Sequence, residues 1–293
     1  MTKELSSVDL FYLTREFQQL ISGKIDKIYQ CEHDGAGEFL FIFHIPSLGK
    51  KILRIMLPGM LYLTDYKPET PLTPSGFCMF LRKYLTNARL RSLSQFQPER
   101  ILEFVFEKKE GSYHLIVELF SPGNILLLKE DNTIMSALLC KKWKDRDILP
   151  KKPYTFPQSP YNLFTIDAQA LLGFLSSTDK NVLVTALAVD LGFGGKYAEE
   201  ISLRAQLDKN MAPSSCTDAQ AHALIAARDS IIRQVRQAGE AAGGYIIHDI
   251  HVRDIRDNGG AVKEGAIREV AIKDVVPLRL LLYEKYACEE AAS

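Results

Sequence analysis

"KIDKIYQCEHDGAGEFLFIFHIPSLGKKILRIMLPGMLYLT", residues 24–64, holds four short apolar runs broken by Asp-Gly, Pro-Ser-Leu-Gly and Pro-Gly. "KIDKIYQ", "EFLFIFHI", "KKILRIML" and "LYLT" are rich in β-branched and aromatic residues and bounded by turn formers, which is the signature of strands. The connections are too short for a crossover, so the runs must pair antiparallel. Upstream, "SSVDLFYLTREFQQLISGK" sets Leu10, Leu13, Phe17 and Leu20 at helical spacing, with Ser6 or Ser7 as N-cap and Gly23 as stop. Downstream, Pro71 and Pro74 introduce a second helix, "SGFCMFLRKYLTNA", before four more strand candidates: "RLRSLSQF", "RILEFVFEKK", "YHLIVELF" and "NILLLKE". Residues 1–150 therefore predict an antiparallel β-sandwich-like domain, or a strongly bent sheet, carrying two helices.

The stretch "CKKWKDRDILPKKPYTFPQSPYN", rich in Pro and Lys, reads as a domain boundary. Helical patterns follow in "DKNVLVTALAVDL", "GKYAEEISLRAQL" and "TDAQAHALIAARDSIIRQVRQAGEAA", so residues 151–240 predict a helical domain. Residues 241–293 predict a β-hairpin region turning at Asn-Gly-Gly. The fold class expected is α+β. The final "EKYACEEAAS" stops without closing structure, as in a fragment of a longer protein.

The 293 residues carry 36 Lys/Arg and 36 Asp/Glu, which excludes a chain coated all over in nucleic acid. The charge is uneven, however. Residues 1–160 hold 22 basic and 18 acidic residues (net +4), leaving 14 and 18 (net −4) for residues 161–293, so a polyanion should meet the front half. Five scattered cysteines without a C-x-x-C pair predict reduced thiols and no zinc ribbon. No run reaches the ~18 apolar residues of a membrane span. A cytoplasmic protein is expected, with no membrane partner, no small-molecule substrate and no cofactor.

Residues 77–100, "FCMFLRKYLTNARLRSLSQFQPER", set Arg82, Lys83, Arg89, Arg91 and Arg100 against one acid, Glu99. Arg82 and Lys83 flank the apolar face of the second helix. Arg89 and Arg91 alternate with Leu90 and Leu93 as on a strand with one buried and one cationic face. Helix and strand would then share one continuous basic surface, for nucleic acid or simply for water. "DLGFGGKYAEE", residues 190–200, places Gly192, Phe193, Gly194, Gly195 and Lys196 between two helices, the helix-hairpin-helix arrangement. The helix after such a turn offers free N–H groups to a phosphate, and Lys196 adds charge; a glycine-rich corner without a ligand is the alternative. Trp143 among the lysines of residues 141–152 suits either stacking on a single strand or burial under a linker. Asp9, three residues after Ser6, fits a capping box. No P-loop, G-x-S-x-G or H-E-x-x-H occurs, and His248 and His251 would face opposite sides of a strand, so neither catalysis nor a metal site is expected.

In "SSVDLFYLTREFQQLISGKIDKIYQ", "GFCMFLRKYLTNARLRSLSQ", "ERILEF", "ELFSPGNILLL", "DLGFGGKYAEEISLRAQLDK" and "DVVPLRLLLYEKY" the chain resembles the NFACT family, in the family's order and over nearly its whole length. Bacterial NFACT proteins were long described as fibronectin-binding proteins; the segments here look like an archaeal member ending before the family's coiled coil and its NFACT-R domain. The resemblance implies a fold similar to the N-terminal domain of formamidopyrimidine-DNA glycosylases followed by a helix-hairpin-helix module. The glycosylases' N-terminal proline nucleophile and zinc finger have no counterpart in a chain that begins Met1-Thr2-Lys3-Glu4. It also implies a part in ribosome-associated quality control: binding the obstructed large ribosomal subunit through its rRNA, holding tRNA, and promoting mRNA-independent, alanine-rich C-terminal tailing of stalled chains while the ribosome makes the bonds. The family's tRNA-handling aspartate in the first helix matches Asp9. Its acidic-Arg pair, usually Asp-Arg, matches Glu99-Arg100 with one extra methylene, which alters the geometry available to the pair. Two other classes stay open: an adhesin or protein-interaction module, against which the absence of an export signal counts, and a DNA-binding relative of the glycosylases without their chemistry.

Overall fold

Strands between residues 24 and 137 form one antiparallel sheet of nine in the computed structural model, which describes residues 4–33, 36–46, 48–142, 146–157, 160–237, 244–253 and 267–291. They are β1 (Lys24–His33), β2 (Ala36–Ile45), β3 (Gly49–Met56), β4 (Met60–Thr64), β5 (Arg89–Gln95), β6 (Ile101–Lys108), β7 (Gly111–Glu118), β8 (Asn124–Lys129) and β9 (Ile134–Ala137). Their order is β4-β3-β2-β1-β5-β6-β7-β8-β9. Two meanders thus join at β1 and β5, where the register holds a single residue pair, Lys24 opposite Arg89. Of the two arrangements expected, a sandwich or a strongly bent sheet, the structure has the bent sheet. Strands three places apart in a flat sheet lie roughly 14 Å apart, whereas the rings of Phe43 on β2 and Phe106 on β6 stack with centroids 6.3 Å apart.

Bulges explain how the alternation survives the bend. Register shifts fall between Ile25 and Lys27 and between Leu90 and Ser92. Each inserts one residue, so Ile25 and Ile28, and likewise Leu90 and Leu93, all reach the same buried side although three residues separate them. Helix α1 (Ser7–Glu16) continues as a 3-10 turn over Phe17–Leu20, and α2 (Gly76–Leu85) is capped by Ser75. Leu10, Phe17 and Leu20 from the first and Cys78, Leu81 and Leu85 from the second enter the same core as both meanders. A short pair, β10 (Lys141–Lys142) and β11 (Asp147–Ile148), follows. Ile148 and Tyr154 are buried with Ile101, Ile116 and Leu126, while Trp143 lies outside the described residues.

The chain divides into two units, Met1–Asn162 and Leu163–Ser293. The second contains α3 (Ala168–Ser177), α4 (Leu183–Thr185) running into a π-helical turn over Ala186–Asp190, α5 (Gly194–Arg204) and α6 (Asp218–Gln237). A sheet ordered β13-β12-β14 comprises β12 (Gly244–Arg253), β13 (Ile267–Val276) and β14 (Ala287–Ala291). β12 pairs antiparallel with β13, and the Asn-Gly-Gly segment connecting them falls outside the described residues. A buried carboxylate organises this unit. Glu200 on α5 is fully buried, takes the Arg204 Nε at 2.6 Å, and accepts the amides of Leu281 and Leu282 at 3.0 and 2.9 Å. Arg204 reaches on to Ser230 and Gln234 of α6. Arg228, also buried, closes the other side by donating to the carbonyls of Leu163 and Ile166.

Candidate nucleic-acid interface

Ser6 and Asp9 begin α1 with a reciprocal cap. The Asp9 amide donates to Ser6 Oγ at 3.1 Å, and the Ser6 amide and hydroxyl donate to Asp9 Oδ2 at 3.0 and 2.8 Å. Asp9 is thereby buried at the helix end whose dipole favours an anion. The turn joining β5 to β6 is laid against this end. Gln95 Nε2 donates to the carbonyl of Ser7 at 3.1 Å, to Ser7 Oγ at 3.0 Å and to the carbonyl of Glu99 at 3.1 Å. The Ser7 hydroxyl donates to the Pro98 carbonyl. Arg100 Nη1 donates to Glu4 Oε2 at 2.8 Å and to the Leu5 carbonyl at 3.2 Å.

Residues some ninety positions apart therefore meet at one place: Asp9, Glu99 and Arg100 share the N-terminal end of α1. Two further turns close around it. The Leu5 amide donates to the Gly59 carbonyl at 2.8 Å, and Gly123 packs on Pro58. Only glycine fits there, because φ at Gly123 is +80° and a Cβ would stand 2.8 Å from the Pro58 Cα. Leu57-Pro58, Gln97-Pro98 and Ser121-Pro122 are all cis, so each of the three turns contains such a bond.

The acid of the pair does not hold its arginine; Glu4 does, a residue that sequence reading passed over. Burial pushes the Glu99 carboxyl above its ordinary range, against the opposing pull of the Arg100 and Arg146 guanidiniums. Arg146 itself grips the buried Glu118 through both nitrogens at 2.6 and 3.1 Å, and Tyr154 donates to the same carboxylate at 2.8 Å. The sign of the Glu99 shift gives a prediction. A carboxyl with a raised folded-state pKa contributes stability while protonated and loses it as pH rises through that value. Glu99→Gln is therefore expected to raise the melting temperature at pH 7, with the difference vanishing below about pH 4, where an ordinary glutamate is neutral. A lower melting temperature at pH 7 would mean that ion pairing outweighs burial.

The basic residues expected to share one surface are distributed differently. Arg82 turns inward, its Nε donating to the Ile28 carbonyl at 2.7 Å and its guanidinium lying 5.3 Å from the Tyr29 ring. Arg91 is paired with Glu107. Lys83 is exposed, and Arg89 donates to the Ser22 carbonyl at 3.2 Å. Arg89 and Arg100 sit at opposite ends of the β5–β6 hairpin, roughly 20 Å apart for a strand of this length. The continuous basic surface is thus two places.

In the second unit, Gly192 and Gly194 take φ of +75° and +73°, Phe193 is buried between them, and α5 starts without a side-chain cap. Lys196 does not reach freely outward. Its Nζ lies 3.8 Å from Asp274 Oδ2 on β13 and 5.1 Å from the Tyr197 ring, and Asp274 also accepts from the Tyr283 hydroxyl. His248 pairs with Glu289 at 3.0 Å, and no group of three or more possible metal ligands occurs among the described residues. No described helix is long and apolar enough to cross a membrane.

Residues 6–253 match the NFACT N-terminal and middle domains. The chain belongs to the NFACT family. Within it, the archaeal Rqc2 homolog aRqcH of Methanocaldococcus jannaschii is 37% identical over 216 residues, covering 71% of this chain and 32% of that protein. Ribosome quality control complex subunit 2 of Saccharomyces cerevisiae is 37% identical over 138 residues, 46% of this chain and 13% of the yeast protein. The NFACT chain described here thus spans a third or less of these relatives' length. The fibrinogen binding protein from Staphylococcus aureus superposes with a TM-score of 0.67 at 16% identity, covering 98% of this chain and 95% of that one, and so shares the fold.

Proposed function

We propose that this NFACT chain is the RNA-engaging part of a ribosome quality control factor, which binds an obstructed large ribosomal subunit, holds tRNA there, and promotes C-terminal tailing without itself making peptide bonds. The observation that carries this reading is the convergence of Asp9, Glu99 and Arg100 on one helix end, in a chain similar to proteins named Rqc2 homologs. A guanidinium held by an exposed carboxylate and a main-chain carbonyl can exchange either for a phosphate or a base edge. Glu99, whose carboxyl burial holds above its ordinary range, can accept from a base amine. The Gly192–Lys196 turn offers the uncapped amides of α5 as a second, sequence-independent phosphate contact.

The reading is tested by sedimentation of the chain with large subunits that carry peptidyl-tRNA and with empty ones. Preferential retention on the obstructed subunits supports it; equal or no retention on both would remove the tRNA from the account. Asp9 has its own test. Asparagine caps a helix as well as aspartate, so Asp9→Asn should leave the melting temperature nearly unchanged. If the buried carboxylate serves RNA, the same variant weakens tRNA binding; unchanged binding would leave capping as its whole role.

A further inference from the structure

The register of the sheet places Lys50 of β3 opposite His44 of β2, His44's strand neighbour Lys24 of β1 opposite that same His44, and Lys24 opposite Arg89 of β5. Directly opposed residues point to the same face, so four basic side chains form a row across four strands, about 14 Å long at the ordinary strand spacing. Lys50, His44 and Lys24 are exposed. The row runs into a groove of about 490 Å³ lined by Lys24, Asn87, Arg89, Lys108 and Lys109 together with Glu107 and Glu110. Glu107 is occupied by Arg91, and Lys24, Lys50, Lys108 and Lys109 make no ion pair among the described residues. Lys108 instead donates to the Lys83 carbonyl in the last turn of α2, at 3.5 Å.

Like charges placed directly opposite on a sheet are destabilising. Two permanent charges are so opposed at Lys24 and Arg89, the one register pair joining the two meanders. Arg89 is offset by its bond to the Ser22 carbonyl and by Glu107 opposite it on β6, but Lys24 and Lys50 have no such acidic partner among the described residues. A local rule broken without compensation is expected at a functional surface. We propose that this row and groove form a further RNA-phosphate contact, at the far end of the β5–β6 hairpin from Arg100, so that a structured RNA is gripped at both ends of that hairpin. The inference rests on the RNA reading above and extends it to Lys24, His44, Lys50, Lys108 and Lys109. Lysines without bound acids suit phosphates, because they neutralise charge without demanding a base identity.

The test is equilibrium binding of purified tRNA to the chain across a salt series, for the wild type, for Arg100→Ala, and for a Lys24→Gln, Lys50→Gln, Lys108→Gln, Lys109→Gln variant. Each phosphate contact contributes ~0.7–0.9 to the slope of log affinity against log salt, so the fourfold variant should lose about 3 from that slope and bind at least tenfold more weakly near ~0.1 M salt. Arg100→Ala should change the slope by at most about 1. Lys24→Gln alone relieves the opposed charges and should raise the melting temperature by about 1 °C, and the fourfold variant, altered only at surface lysines, should melt no lower than the wild type, so that weakened binding by it is not misfolding. An unchanged slope in the fourfold variant, with wild-type tRNA binding intact, would overturn this inference and leave the Arg100 site standing. A wild type that does not bind tRNA would overturn both.

Discussion

Replacing Arg100 by alanine is expected to weaken tRNA binding by about 1–3 kcal/mol, roughly 5- to 150-fold, while the fold stays intact. The size follows from the fork geometry of a guanidinium, which can form two hydrogen bonds to one phosphate or one guanine edge. Stability should hardly move, because the ion pair with Glu4 is partly exposed, with 27% and 44% of the two side chains accessible. Such pairs are worth at most about 1 kcal/mol. Arg100→Lys should recover part of the affinity, since it retains the charge and loses the fork. Fluorescence anisotropy with labelled tRNA, alongside a thermal melt, checks both halves. Native affinity with a native melt would remove Arg100 from the interface, and a collapsed melt would mean that its bond to Leu5 is structural.

The largest effect on stability is expected from Glu200→Ala. The substitution strips Arg204 of its buried partner and leaves the Leu281 and Leu282 amides without their acceptor. Arg204 is itself only 12% accessible, so its charge cannot simply return to water. Removing one member of a buried pair costs about 3–5 kcal/mol, against about 1–3 for Glu200→Gln, which keeps one acceptor oxygen. Urea unfolding followed by circular dichroism at the helical band gives the comparison. A loss below about 1 kcal/mol for the alanine variant would show that water replaces the carboxylate and that Glu200 does not hold the Leu281–Tyr283 turn against α5.

Eight of the nine strands of the large sheet were legible as apolar runs bounded by turn formers: β5 and β6 largely alternate, whereas β2 and β8 are buried on both faces and read as continuous apolar stretches. β9 was missed, being four residues long with mixed exposure. Helix α3, "AQALLGFLSS", was missed for a different reason: Leu171, Phe174 and Leu175 face inward, but the remaining small residues and Gly173 give no polar face to contrast with them. Its start was marked, since Asp167 caps Ala170 at 2.7 Å, a signal that could have been used. The single bent sheet could not be told from a sandwich, because the two differ only in whether β1 and β5 pair, and they do so through one register position.

The candidate interface was legible residue by residue and illegible as a place. Asp9 shows its cap in the spacing from Ser6, whereas Glu99 and Arg100 stand out only as the end of a basic stretch and were joined to Asp9 by family resemblance alone. Nothing local connects them. Glu4 and Arg146, which hold or tune the pair, lie on other segments, and ordinary polar residues such as these and Gln95 carry no periodicity that announces a partner. The basic row failed to appear in the sequence for the same reason: Lys50, His44, Lys24 and Arg89 become neighbours only through strand register. Conversely, Arg82 looked available in the sequence and is turned into the fold, while Arg91 stays on the surface in an exposed pair with Glu107.

The most direct measurement is the affinity of the chain for purified tRNA and for a duplex DNA of equal charge at matched salt concentrations. The account predicts salt-sensitive binding that favours tRNA, because the helix-end site must be met by a folded RNA and not merely by a line of phosphates. Equal affinity for the two would contradict it, leaving a basic surface that recognises charge and nothing else.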